Sequence, residues 1–115
     1  MKLVEIAESH KELFPRATPE SQFWKLEEEI AEFKAAVGED SIKELADIWI
    51  VCAGLYRWFP ETAYAVYSYY SDDIINAQYG LDKIESEVNR KWQINLKRKW
   101  EWNGKTYHHV EDGNE

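Results

Sequence analysis

Four carboxylates in two pairs carry the clearest chemistry in this chain. The stretch from Lys25 to Asp47 reads KLEEEIAEFKAAVGEDSIKELAD, in which Glu29 and Glu32 stand three residues apart and Glu44 and Asp47 repeat that spacing. On an α-helix this spacing places each pair on one face. Two such pairs on neighbouring helices offer a set of hard oxygen ligands, which suits Mg²⁺ or Mn²⁺. Asp47 is the most informative of the four, because it is the only charged residue in LADIWIVCAGLY, from Leu45 to Tyr56. A helix apolar on all sides is a buried helix. A carboxylate taken out of water is costly unless it is paired, protonated or bound to a cation. The neighbouring sequence is richer in carboxylates than in Lys or Arg, so the expected counter-charge for Asp47 is a divalent ion.

A second group of residues is basic. Arg90, Lys91, Lys97, Arg98 and Lys99 gather within one short stretch of an otherwise acidic chain. Lys91, Asn95 and Arg98 fall at i, i+4 and i+7, which presents an ammonium, an amide and a guanidinium on one helical face to a polyanion. The plainer alternative is a solvated basic face that balances the helix dipole near its C-terminus. With the carboxylate pairs present, phosphate binding is the favoured reading.

The elements that must position these groups are mostly helical. Leu3, Ile6, His10 and Phe14 have helical spacing and predict a short packing helix or helical arm from about Lys2 to Phe14, with a break from Pro15 to Pro19. Thr18 before Pro19 reads as an N-cap with proline at the first helical position, Ser21 being a second candidate. In the helix that follows, Phe23, Leu26, Ile30, Phe33 and Val37 form the expected core stripe, with Glu29 on its shoulder. Residues 37–40 link this helix to the next, a length typical of antiparallel neighbours. Ser41 with Glu44 makes a capping-box pattern, which competes with the metal reading of Glu44. Phe59 and Pro60 end the second long helix. The segment ETAYAVYSYYSDD predicts a third, its tyrosines suited to a core or a subunit interface. There Asp72 and Asp73 are open between capping and a place near the metal. Gly80 marks a break, and from Leu81 the chain is helical again. Asn103-Gly104, between KWEW and the run Thr106 to Val110, predicts a hairpin with a two-residue turn. His108 and His109 could touch a ligand, but they lack metal-site spacing.

Composition bounds the partners. The chain of 115 residues, 44% hydrophobic and 15% aromatic, is one domain able to build a single core. Its formal charge of -8 argues against binding a nucleic-acid polymer. The lone Cys52 sits in an apolar helix and reads as a buried thiol. Glu5 and Glu8 interrupt the apolar region that a signal peptide needs, and no segment reaches membrane-spanning length. A cytoplasmic protein with no membrane partner is expected.

KLEEEIAE followed by ELAD resembles the ExxE…ExxD signature of MazG-like all-α nucleoside triphosphate pyrophosphohydrolases. Lys91, Asn95, Arg98 and Trp100 in KWQINLKRKW resemble the same family's K…N..R.W pattern. The resemblance covers about Thr18 to Trp100. It implies helices packed as a bundle, and with the residue reading above the expectation is an all-α, antiparallel bundle of four to five helices with a short C-terminal β-hairpin: an arm at 1–17, a helical core at 18–99 and a hairpin and tail at 100–115, the arm and the tyrosine-rich segment lying outside the resemblance. It also implies that Glu29, Glu32, Glu44 and Asp47 hold Mg²⁺, with Glu28 as a fifth catalytic carboxylate that ligates or orients water. Lys91, Asn95 and Arg98 would grip a nucleoside triphosphate, and a metal-activated water would attack the α-phosphorus to release a monophosphate and pyrophosphate. A homodimer or homotetramer with the site near a subunit interface is implied as well. The competing readings are a non-catalytic nucleotide- or metal-binding module, a structural helical oligomer, and a pyrophosphohydrolase for a modified nucleotide such as phosphoribosyl-ATP. A ferritin-like di-iron site would need Glu-x-x-His motifs, which this chain lacks.

Overall fold

The computed structural model describes residues 3–76 and 79–110, the side chains of 73–76 excepted. Five helices are followed by two strands: α1 (Leu3–Leu13), α2 (Pro19–Ala35), α3 (Asp40–Tyr56), α4 (Pro60–Asn76), α5 (Leu81–Lys97), β1 (Lys99–Trp102) and β2 (Tyr107–Val110). The protein is an all-α bundle closed by a short antiparallel hairpin.

α3 is the central rod, and α1, α2, α4 and α5 all pack on it. Its apolar run accounts for this arrangement: Ile42, Leu45, Ile48, Trp49, Ile50, Val51, Cys52 and Leu55 are all buried. Each large aliphatic side chain so enclosed contributes about 1.5–3 kcal/mol. α5 returns Ile84, Val88 and Trp92 to the same core. α1 is more than an arm, since Leu3, Ile6, Ala7 and His10 are buried against α3.

Thr18 caps α2 as its sequence predicts. Its hydroxyl accepts from Ser21 N at 3.0 Å while Ser21 Oγ accepts from Thr18 N at 2.9 Å, so Ser21 completes the box rather than starting the helix. The expected α2 stripe is shorter than its sequence pattern: Leu26 is buried and Ile30 and Phe33 pack against the core, but Phe23 and Val37 are exposed. Val37 lies beyond the helix end, where the chain turns through Gly38 at φ 61. Phe23 instead meets Phe59, ring to ring at 6.0 Å, on the outside of the bundle.

The capping-box reading of Ser41 and Glu44 does not hold. α3 begins at Asp40 behind Glu39 with no side-chain cap, which places Ser41 inside the helix and leaves Glu44 without a capping role. The helix ends at Tyr56, ahead of Phe59, and Pro60 opens α4. Trp49 Nε1 donates to Ser71 Oγ at 3.1 Å and stacks on Tyr67, which fastens α4 to α3. Tyr64 and Tyr69 face outward.

The hairpin turn also differs from expectation. Register pairs Trp102 with Tyr107, so residues 103–106 form a four-residue connection instead of two. Asn103 Oδ1 accepts from both Lys105 N and Thr106 N at 2.8 Å, and this side-chain capture sets the longer turn. Gly104 takes the positive φ of 93 that the turn requires. The hairpin is held down by Phe14, whose ring lies 4.9 Å from those of Trp100 and Tyr107. Tyr107 Oη accepts from Arg16 N at 2.9 Å, and Lys105 Nζ lies 4.0 Å above the Trp24 ring.

Candidate functional site

Helical periodicity brings the ionisable residues into register. On α2 Gln22, Lys25, Glu29 and Glu32 follow one another at three- and four-residue steps, and on α3 Glu44, Asp47, Val51 and Gly54 do the same. The short turn through Gly38 sends α3 back along α2, so Glu29 arrives opposite Glu44 and Asp47. One carboxylate oxygen from each of Glu29, Glu44 and Asp47 lies within 4.8 Å of the others. Glu32 stands at the rim, within hydrogen-bonding reach of Glu29 and Glu44.

Burial and crowding make Glu29, Glu44 and Asp47 hard to ionise. Desolvation, then the charge of Asp47, pushes Glu29 up to about 8. Burial followed by Asp47 raises Glu44 as well. Burial also raises Asp47, against the opposing pull of Lys91. Oε2 of Glu29 and Oε2 of Glu44 are buried without a hydrogen-bond partner.

The cluster opens into a cavity of about 400 Å³, within the range of small-molecule sites. Glu29 and Asp47 line one end together with Lys25, Lys91, Asn95 and Arg98, while His10, Phe14, Gln22, Trp100 and Tyr107 also border it. Glu29 and Asp47 of the first sequence-predicted group therefore share one pocket with all three residues of the second, while Glu32 and Glu44 are not among its lining residues. Lys91 Nζ donates to Asp47 Oδ2 at 3.1 Å, so Asp47 does have a basic partner. Local sequence could not supply it, because that lysine comes from α5.

Two further expectations need correction. Glu28 is exposed and pairs with Lys25 at 3.4 Å, since one residue of helix rotates it about 100° away from Glu29. It is not part of the carboxylate cluster. Arg98 is not on the helical face of Lys91 and Asn95: it caps α5 in extended conformation, φ -81 and ψ 155, and reaches the pocket from the start of the hairpin. Asp72 is exposed and does not line the pocket, while the side chain of Asp73 lies outside the described residues. His108 and His109 do line it, from β2.

Sequence reasoning missed Lys25 and Gln22, and treated His10 as packing alone. Their signal was present as the polar face that Gln22, Lys25, Glu29 and Glu32 make together. Cys52 is fully buried and its thiol is pushed up to about 12 by burial, which leaves it inert.

No known protein family, characterised protein or solved structure matches the chain. Among the described residues no helix is long and apolar enough to cross a membrane.

Proposed function

We propose that this protein is a divalent-metal-dependent nucleoside triphosphate pyrophosphohydrolase of the MazG-like kind, converting a (d)NTP to the monophosphate and pyrophosphate. The observation that carries this reading is the convergence of carboxylates from α2 and α3 with Lys91, Asn95 and Arg98 around one cavity. Glu29, Glu44 and Asp47, with Glu32 beside them, are the hard oxygen donors that Mg²⁺ or Mn²⁺ takes. The unpartnered Oε2 atoms of Glu29 and Glu44 fit such an ion, because buried polar atoms ordinarily have partners. When bound, the ion supplies positive charge for an anionic substrate and acidifies a water molecule.

The chain's own groups divide the remaining work. Lys91 and Arg98 hold the outer phosphates, Lys91 exchanging Asp47 for phosphate oxygen, while Asn95 donates a neutral hydrogen bond. A water oxygen bonds to the α-phosphorus, the bond from that phosphorus to the bridging oxygen breaks, and pyrophosphate leaves. The water's proton passes to Glu32, the carboxylate at the rim of the cluster. In this reading the protein acts in the cytoplasm as a homodimer or homotetramer, and the exposed Phe23, Phe59, Tyr64 and Tyr69 offer surface for that contact. A modified nucleotide such as phosphoribosyl-ATP is the alternative substrate of the same chemistry.

The Lys91–Asp47 ion pair favours one second reading, a binding or structural module whose acids are neutralised without a metal. The two are separated by measuring pyrophosphate release from a panel of NTPs and dNTPs, with Mg²⁺ and with EDTA. Metal-dependent release supports the enzyme. Its absence from every substrate, with no Mg²⁺ effect on melting temperature, leaves the module.

A further inference from the structure

The end of the pocket away from the carboxylates has a different chemistry. Because α2 and α3 run in opposite directions, Gln22 lies level with Gly54, seven residues or about 10 Å of helix from Glu29 and Asp47. α1 enters at the same level. A Cβ on Gly54 would lie 2.5 Å from both Cε1 and Nε2 of His10, and closer still to Oε1 of Gln22. Only a hydrogen at position 54 lets these two polar side chains, from two helices, converge on one point of a third.

Their hydrogen-bonding capacity is not used up. His10 is 4% exposed, and its Nδ1 has no partner. Gln22, 5% exposed, reaches Ser21 Oγ from Nε2 only at 3.3 Å, which is long for such a bond. Buried polar groups normally find partners, and both of these residues line the cavity. The imidazole is also neutral: burial, then the nearby Arg57 guanidinium, lowers it to about 3. His10 and Gln22, which border the cavity here, carry no charge, and Arg57 is not among its lining residues. Above His10 and Gln22 stand flat walls, Phe14 edge-on to Trp100 at 79° and tilted against Tyr107. Aromatic walls over an uncharged hydrogen-bonding floor suit a planar, neutral heterocycle.

We propose that this end of the pocket takes the nucleobase, that His10 and Gln22 discriminate between bases through hydrogen bonds to the ring edge, and that α1 and the hairpin complete the subsite within one chain. The inference rests on the triphosphate reading for the orientation of the ligand. Sites that hydrogen-bond a ligand edge reject analogues lacking it far better than apolar pockets do, so discrimination of about tenfold or more is expected.

The probes are free adenosine, guanosine, cytidine and uridine in EDTA, followed by calorimetry and tryptophan fluorescence on the native protein, His10→Asn and Gln22→Leu. The native protein should bind one nucleoside at least about tenfold more tightly than the weakest. Each folded variant should narrow that ratio while leaving Mn²⁺-dependent binding of inorganic tripolyphosphate unchanged. If a variant does not fold, the native nucleoside ranking decides. Absence of nucleoside binding at millimolar concentration, or equal affinity for all four, overturns the proposal and makes His10 a packing residue against Phe14 and Trp92. Base-selective binding without pyrophosphate release would remove the reaction and keep the base subsite. Release at one rate for every base, unaltered in the variants, would do the reverse.

Discussion

Raising the pH of the metal-free protein should lower its stability, which is uncommon above neutrality and follows from the crowded carboxylates. Glu29 holds its proton in the native state up to about 8, against 4.5 for an ordinary glutamate. Between those values the folded chain binds more protons than the unfolded one, so stability falls as pH rises. His10 acts with the opposite sign: its native value of about 3 lies below 6.5, so its contribution is present above pH 6.5 and lost as pH falls. From pH 4.5 to 6.5 the two contributions offset each other and stability should be level, and the interval from 6.5 to about 8 isolates the carboxylates. At 1.36 kcal/mol per pH unit, that interval corresponds to about 2 kcal/mol, which solvent screening around a partly exposed cluster reduces to about 1 kcal/mol. The corresponding drop in melting temperature is about 4 °C. Circular-dichroism melts in EDTA at pH 6.5 and 8.5 measure it directly, with Glu29→Gln as control. The native protein should lose about 4 °C and the variant clearly less. With saturating Mn²⁺ the trend should reverse, because ligation requires deprotonated carboxylates. A native melting temperature that is flat or rising in EDTA across this interval would refute the reasoning.

Four other outcomes follow from the same geometry. Glu44→Gln and Asp47→Asn should each abolish metal-dependent hydrolysis, and full activity in either by pyrophosphate assay would remove the metal site. Lys91→Ala should raise KM more than it lowers kcat, and it should tighten Mn²⁺ binding without nucleotide, because a competing positive charge leaves Asp47; calorimetry reads the second effect. Gly54→Ala should destabilise by about 1–3 kcal/mol, the usual penalty for forcing an extra methyl into a packed site, as read by urea denaturation. Thr18→Ala should cost about 1 kcal/mol through loss of the cap box, with kcat unchanged in the same assay that reads the site variants.

The fold was legible where periodicity and local chemistry agree. The Thr18-Pro19 start of α2, the apolar run of α3 and the break at Gly80 all follow from short-range rules. The i, i+3 carboxylate pairs also showed which helix faces would meet. What local sequence could not show are contacts made across the bundle. Lys91 neutralises Asp47 from 44 residues away, and His10 joins Gln22 only because α1 packs at Gly54. Val37 continues the apolar pattern of α2 but stands beyond its end, so periodicity alone assigned it to the core. Asn103-Gly104 is a hairpin signal, yet the Asn103 side chain binds two backbone N–H groups and lengthens the turn. Glu28 belongs to the glutamate run by sequence, but a rotation of about 100° takes it off the face of Glu29 and into solvent.

The central claim is water attack at the α-phosphorus, and hydrolysis in H₂¹⁸O with Mg²⁺, followed by ³¹P NMR, tests it most directly. The label should appear in the nucleoside monophosphate, with unlabelled pyrophosphate and no turnover in EDTA. Label in pyrophosphate, release of orthophosphate, or no product from any triphosphate in Mg²⁺ would contradict it.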